Sequence, residues 1–172
     1  MDISNLGPNK NCIKCYFRSP LFKGLDLQSA NLSFSTFETA DIKESNFESA
    51  NLAFAEMNRA DLTKSQMKSV NLTGARLRLA KLNNANLEEA KLVFADLFKV
   101  KLRNANLSGS DLSGANLILA DLTSADLSGA NLTGARMAEA ELKNARLCDA
   151  IMPSGKKNPP CSYEKDQNSI KH

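Results

Sequence analysis

Ala115-Asn116-Leu117-Ile118-Leu119 and Ala130-Asn131-Leu132-Thr133-Gly134 are two copies of a five-residue unit that stays in phase through most of the 172-residue chain. Reading every fifth residue from Phe17 to Met152 gives 28 positions, and all of them are Leu, Phe, Ile or Met. Two residues before each, from Ala30 to Ala150, runs a second series of 25 positions: 19 Ala, four Ser and two Val (Val70 and Val100). Asn or Asp usually separates the two series, as in Ala30-Asn31-Leu32 and Ala120-Asp121-Leu122.

A period of five suits neither common element. On an α-helix, successive fifth residues rotate by about 140°, so the Leu series would wind around the axis and form no face. On a flat strand, fifth residues alternate sides. Both series can face inward only if the chain turns a corner within every repeat, and a chain that does so is a solenoid. Corners near a right angle put four repeats, or about 20 residues, in each coil. Parallel coils then pair through backbone hydrogen bonds about 4.8 Å apart, and parallel crossovers favour the right hand. The expected fold is therefore all-β: a right-handed quadrilateral parallel β-helix of about seven coils. Leu reaches the axis, Ala and Ser fit beside a corner where backbone closes in, and Asn and Asp tolerate turns and bond to nearby backbone.

The Ala-(Asn/Asp)-Leu-x-x unit resembles the pentapeptide-repeat family, over about four-fifths of the chain. The entry Asn11-Cys12-Ile13-Lys14-Cys15-Tyr16-Phe17 and the exit Ala150-Ile151-Met152-Pro153-Ser154-Gly155 are similar to repeat proteins abundant in photosynthetic bacteria. The resemblance implies the four-sided right-handed coil.

Three segments follow from the pattern: an N-terminal cap over 1–16, the repeat coil over 17–153, and a polar tail over 154–172, expected to be flexible or draped on the last coil. Solenoid ends expose core and open edges, so atypical terminal repeats are expected. The four inward phenylalanines, Phe17, Phe22, Phe37 and Phe47, all lie near the N-terminus, where wide rings can close the end. Pro20 replaces an Ala there, and Pro153, Gly155, Pro159 and Pro160 stop the ladder at the other end.

The residues carry little that could catalyse a reaction. His172 is the only histidine and is terminal, which excludes Ser/His and Cys/His nucleophilic machinery. Asp41, Asp61, Asp111, Asp121 and Asp126 all occupy the repeat's Asn/Asp position and read as turn formers. The glycines sit at corners, not in a phosphate loop. No enzyme activity, cofactor or metal is expected. Cys12 and Cys15 form a C-x-x-C, which fits redox chemistry, half a metal site or a local disulfide. Both fall on inward positions, and the thioredoxin-like strand-to-helix context is missing, which favours buried capping thiols or a local disulfide. Cys148 and Cys161 form a second candidate disulfide that would staple the tail. One zinc site built from all four is excluded, because the pairs lie at opposite ends of the rod.

Net charge is +3 with an isoelectric point near 8.7, short of the clustered basic surplus of a nucleic-acid binder. No apolar run approaches the roughly 18 residues of a membrane span, and residues 1–10 lack an apolar signal core, so a cytoplasmic protein is expected. Between Arg59 and Arg103 ten basic residues face four acidic ones, and Arg78, Lys81, Lys99, Lys101 and Arg103 project around one corner as a candidate anion or acidic-partner site. Phe34, Phe54 and Phe94 share one 20-residue column, and Leu79, Phe98, Ile118 and Leu119 carry the adjoining side. Such a group of outward apolar residues is either a partner surface or packing over the corners. The expected function is a non-enzymatic structural or interaction scaffold whose flat faces meet an unidentified protein partner, the chain itself being monomeric or weakly self-associating. The competing reading, a DNA-mimic modulator of DNA gyrase like the quinolone-resistance pentapeptide proteins, needs an acidic rod and a C-terminal dimerisation helix. Neither feature is present in this sequence.

Overall fold

The computed structural model describes residues 11–17 and 22–161. Pro20, His172, residues 1–10 of the cap and residues 162–172 of the tail lie outside the described residues. Within them, a two-residue turn recurs every five residues, and single residues between the turns pair in parallel with the residue 20 positions on. The bridges run from Asn11↔Asn31 and Tyr16↔Thr36 to Asp126↔Arg146 and Asn131↔Ile151 without a change of register. A corner every five residues leaves room for only one bridging residue per side, so the described chain pairs through isolated bridges and contains no continuous strands. The ladder reaches Asn11 and Tyr16, which lie inside the segment read from sequence as a cap.

A repeat with Asn or Asp at its second position can account for all five of its amides, as Ala50-Asn51-Leu52-Ala53-Phe54 illustrates. Ala50 donates to the Phe47 carbonyl at 3.0 Å and closes the preceding turn. Asn51 donates back to Ala30 at 2.8 Å, while Leu52 and Phe54 donate forward to Asn71 and Thr73 at 2.7 and 2.9 Å. The fifth amide, that of Ala53, donates to the Asn51 side-chain oxygen at 3.2 Å. This last bond explains why the position before the inward residue is usually Asn or Asp: its short side chain serves the amide that the backbone of the neighbouring coils does not reach. The same asparagines bond to each other along the rod, Asn71 to Asn51 at 3.0 Å and Asn51 to Asn31 at 3.2 Å.

Where Ser replaces Ala near the N-terminus it has a defined task. The Ser35 hydroxyl donates to the Cys12 carbonyl at 2.7 Å and accepts the Cys15 amide at 3.0 Å, spanning the two ends of the turn one coil earlier. Ser45 does the same for Phe22 and Leu25.

The inward series is buried from Phe17 to Leu132, with Phe22 half-buried. Phe17 stacks on Phe37 with centroids 4.3 Å apart, and Phe22 and Phe47 meet these rings edge-on at 6.3 and 6.4 Å. At the other end Met137, Leu142, Leu147 and Met152 are only partly covered. There residues 156–160 fold back across the last coil, with an antiparallel bridge between Ile151 and Lys157.

Candidate functional site

From Lys14 to Asp149 the second residue of each described turn has a positive φ, and glycine fills that place at Gly24, Gly74, Gly109, Gly114, Gly129 and Gly134. Bulky side chains in this region are conformational outliers. Even so, Phe34, Phe54, Phe94, Leu79 and Leu119 adopt φ between 55° and 61°. The first three share one corner. Phe34 stacks on Phe54 with centroids 5.2 Å apart and an interplanar angle of 13°. Phe54 lies over Gly74 on the following coil, and Phe94 lies over Gly114; a Cβ at either glycine would strike the ring. Corner packing therefore accounts for part of each ring. It leaves Phe34 and Phe54 about half exposed and Phe94 73% exposed.

The next corner holds the second group. Leu79 is 43% exposed, and Phe98, Ile118 and Leu119 are half-buried. Arg78 joins the two corners: its guanidinium carbon sits 4.4 Å from the Phe98 centroid, and its Nη1 is 3.1 Å from Asp96 on the face between them. Asp96 also accepts the Phe98 amide at 3.2 Å and Asn116 at 2.9 Å, so it is held on three sides. The Lys99 ammonium lies 5.4 Å from the same Phe98 ring centroid. The sequence-predicted apolar residues thus occupy two neighbouring corners, with two cations near the Phe98 ring.

The basic group is less concentrated than its projection suggests. Lys81 pairs with Asp61 at 3.2 Å, Arg103 with Asp121, and Arg78 with Asp96. Lys99 and Lys101 are exposed and stand in no ion pair among the described residues. Burial raises the pKa of both Asp61 and Asp121, but hydrogen bonds outweigh it, from Thr63 and Lys81 in one case and from Arg103 and Thr123 in the other. Both carboxyls end below their ordinary value. A small open cavity of about 200 Å³ lies on the same corner, lined by Glu38, Asn58, Arg59, Arg78 and Leu79. Cofactor pockets run to about 300–1,000 Å³ and enclose most of their ligand, so this hollow is too small and open for one.

The bridge register aligns Asp41, Asp61, Lys81, Lys101, Asp121 and Glu141 in one column, so two lysines divide its acidic residues. All four cysteines are paired, Cys12 with Cys15 and Cys148 with Cys161, at Cα separations of 5.5 and 5.0 Å. Among the described residues no group of three or more His, Cys, Asp and Glu is placed to hold a metal, and no helix is long and apolar enough to cross a membrane.

Two side chains beyond the sequence reading prove structural. Arg76 and Lys101 stand where the repeat would have Asn or Asp, so the amides two residues on need another acceptor. Asn58 and Asn83, one coil earlier, supply it to Arg78 and Arg103, each at 3.1 Å. An Asn 20 residues before the orphaned amide was the available signal. Likewise Gly114, 20 residues after Phe94, marked where that ring would lie.

Comparison with known proteins agrees with this geometry. No curated protein matches the chain at the level of sequence. Among solved structures, a pentapeptide repeat protein from the Arabidopsis thaliana thylakoid lumen is 34% identical over 52% of this chain and 63% of its own, with a TM-score of 0.51. HetL, a pentapeptide repeat protein involved in heterocyst differentiation regulation from the cyanobacterium Nostoc sp. strain PCC 7120, is 25% identical over 87% of this chain and 92% of its own, with a TM-score of 0.49. A trypsin-treated form of QnrB1, a plasmid-mediated fluoroquinolone resistance protein, is 18% identical over 85% of this chain and 86% of its own, with a TM-score of 0.41. The family model for pentapeptide repeats matches residues 40–78, 80–117 and 115–152, in eight copies, and with that match over more than half of its length the chain belongs to the pentapeptide-repeat family.

Proposed function

We propose that this protein is a non-enzymatic scaffold, a right-handed quadrilateral rod of about seven coils that presents two adjacent corners to a protein partner. One observation carries the reading: Phe94 occupies a strained left-handed corner position with 73% of its surface exposed. Glycine serves that same position in the neighbouring coils without strain. Phe34, Phe54, Leu79 and Phe98 continue the apolar surface, and Arg78, Lys99 and Arg103 give it the polar rim usual for a binding patch. The repeat coil over 17–153 carries this surface. The DNA-mimic reading has the lysine-divided acidic column against it. The two disulfides favour an oxidising compartment over the cytoplasmic location expected from the sequence.

The test is affinity capture from the native cell with the intact protein and with a Phe94→Ser/Phe98→Ser variant as baits. The variant should lose a partner that the intact bait retains, while its stability stays within about 1 kcal/mol, as for a surface change. Unfolding of the variant, or an unchanged capture, would overturn the reading.

A further inference from the structure

The two disulfides sit in opposite settings. Cys12 and Cys15 lie within one turn, three residues apart, with Cys12 buried and Cys15 half-buried. Their backbone is fixed without the sulfur bond. The Cys12 amide donates to Asn31 at 2.8 Å, the Cys15 carbonyl accepts Thr36 at 2.8 Å, and the Ser35 hydroxyl ties the two residues together. Cutting that bond would free nothing.

Cys148 and Cys161 are 13 residues apart, and Cys161 is exposed. Between them the chain leaves the last coil, reverses, and lies along its open edge. Met152 donates to Lys156 at 2.9 Å, Asn158 donates to Ala150 at 2.8 Å, and Asp149 donates to Pro159 at 3.1 Å. The Asn158 side chain reaches the Leu147 carbonyl at 3.1 Å and the Met152 sulfur at 3.4 Å, and Lys157 pairs with Asp149 at 3.0 Å. These contacts cover the edge groups of residues 149–152 and part of the incompletely buried Leu147 and Met152. Few of them are apolar, so the covalent tie is the strongest element holding the flap down.

We infer that the Cys148–Cys161 disulfide is an exchange site for a dithiol reductant, and that its reduction releases the flap and uncovers the C-terminal edge of the coil. A thiolate of the reductant attacks the exposed Cys161 sulfur, the S–S bond breaks, and Cys148 leaves as a thiolate that takes up a proton. The reductant's second thiol then displaces Cys161 from the mixed disulfide. The protein gains two electrons and two protons, and the dithiol becomes a disulfide. Release exposes the Asp149 and Met152 amides and the Ala150 carbonyl, an unpaired edge of the kind onto which an added strand docks.

The full chain is titrated with dithiothreitol, the freed thiols are alkylated and located by peptide mass, and amide exchange is followed in parallel. Cys148 and Cys161 should be labelled well before Cys12 and Cys15. Exchange at Asp149, Met152 and Asn158 should then rise by about tenfold or more, with the amides from Leu27 to Leu127 unchanged. A Cys148→Ser/Cys161→Ser variant should show the same open edge without reductant, and a Cys12→Ser/Cys15→Ser variant should keep it closed. Labelling of Cys12 and Cys15 first or together with the other pair would overturn the inference, as would a flap that stays protected after Cys148 and Cys161 are free.

Discussion

At the residue scale, the left-handed corner is where this sequence departs from its own economy. A bulky side chain there costs about 1–2 kcal/mol relative to glycine, and the return differs between rings. Phe54 is sandwiched between Phe34 and the bare backbone of Gly74. Phe94 covers Gly114 alone and keeps 73% of its surface in water. Phe94→Gly should therefore leave stability unchanged or raise it by up to about 1–2 kcal/mol as the strain is removed. Phe54→Gly should lower stability, because a stacked pair is lost together with its buried area. Urea unfolding of the two variants checks this, and equal destabilisation by both would make Phe94 a packing residue. The column of Phe34, Phe54 and Phe94 was legible in the sequence, since residues 20 apart must align once the coil has four sides. The lean of each ring onto the next coil depends on the rotamer a positive φ allows, and its one mark in the sequence is the glycine 20 residues on, Gly74 for Phe54 and Gly114 for Phe94.

At the scale of the repeat, Asp-Leu-Thr recurs at Asp61-Leu62-Thr63 and Asp121-Leu122-Thr123. In each the aspartate takes both the amide and the hydroxyl of the threonine. Its second oxygen takes a cation from the coil before or after, Arg103 for Asp121 and Lys81 for Asp61. The turn-forming role of these aspartates was readable from their place in the repeat, whereas the cation partners were not, because a basic residue at any of several corner positions can reach the carboxylate. The pairing has a consequence in pH. The Asp121 carboxyl titrates lower in the folded chain than its unfolded value of about 3.9. Its contribution is thus complete above that unfolded value and is lost as pH falls through the folded one. Urea midpoints measured from pH 7 to 2 should drop below about pH 4. In Asp121→Asn the amide can still serve Thr123, as Asn131 serves Thr133. That variant should start lower at neutral pH and lose less on acidification. A decline parallel to that of the intact protein would show that Asp121 has no share in the acid response.

At the scale of the whole molecule, the unbroken 20-residue register makes one coil the natural unit of gain and loss. Solenoid stability is close to a sum of repeat and nearest-neighbour terms, so a change that removes one coil and keeps the phase should be tolerated. Removing residues 72–91 does this: Asn71 then precedes Leu92, and the inward Leu and Ala series continue without a break. The excision also takes out Gly74 and Arg78, which sets Phe94 directly after Phe54 in the aromatic column. The shortened protein should keep its β-type spectrum and a cooperative transition, and its longest dimension in solution scattering should fall by about 5 Å, the spacing of one coil. Its stability should drop by the one coil and the one interface lost, not collapse. Removing only Thr73 and Gly74 is a far smaller cut, yet it shifts every later Leu off the axis and should abolish the cooperative transition C-terminal to the cut. The contrast isolates register from size, because the larger deletion removes more core. Were both shortened chains to fold equally well, inward phase would not be what holds the rod together. Were the 20-residue deletion to aggregate, the coils would not be the interchangeable units that the bridge ladder makes them.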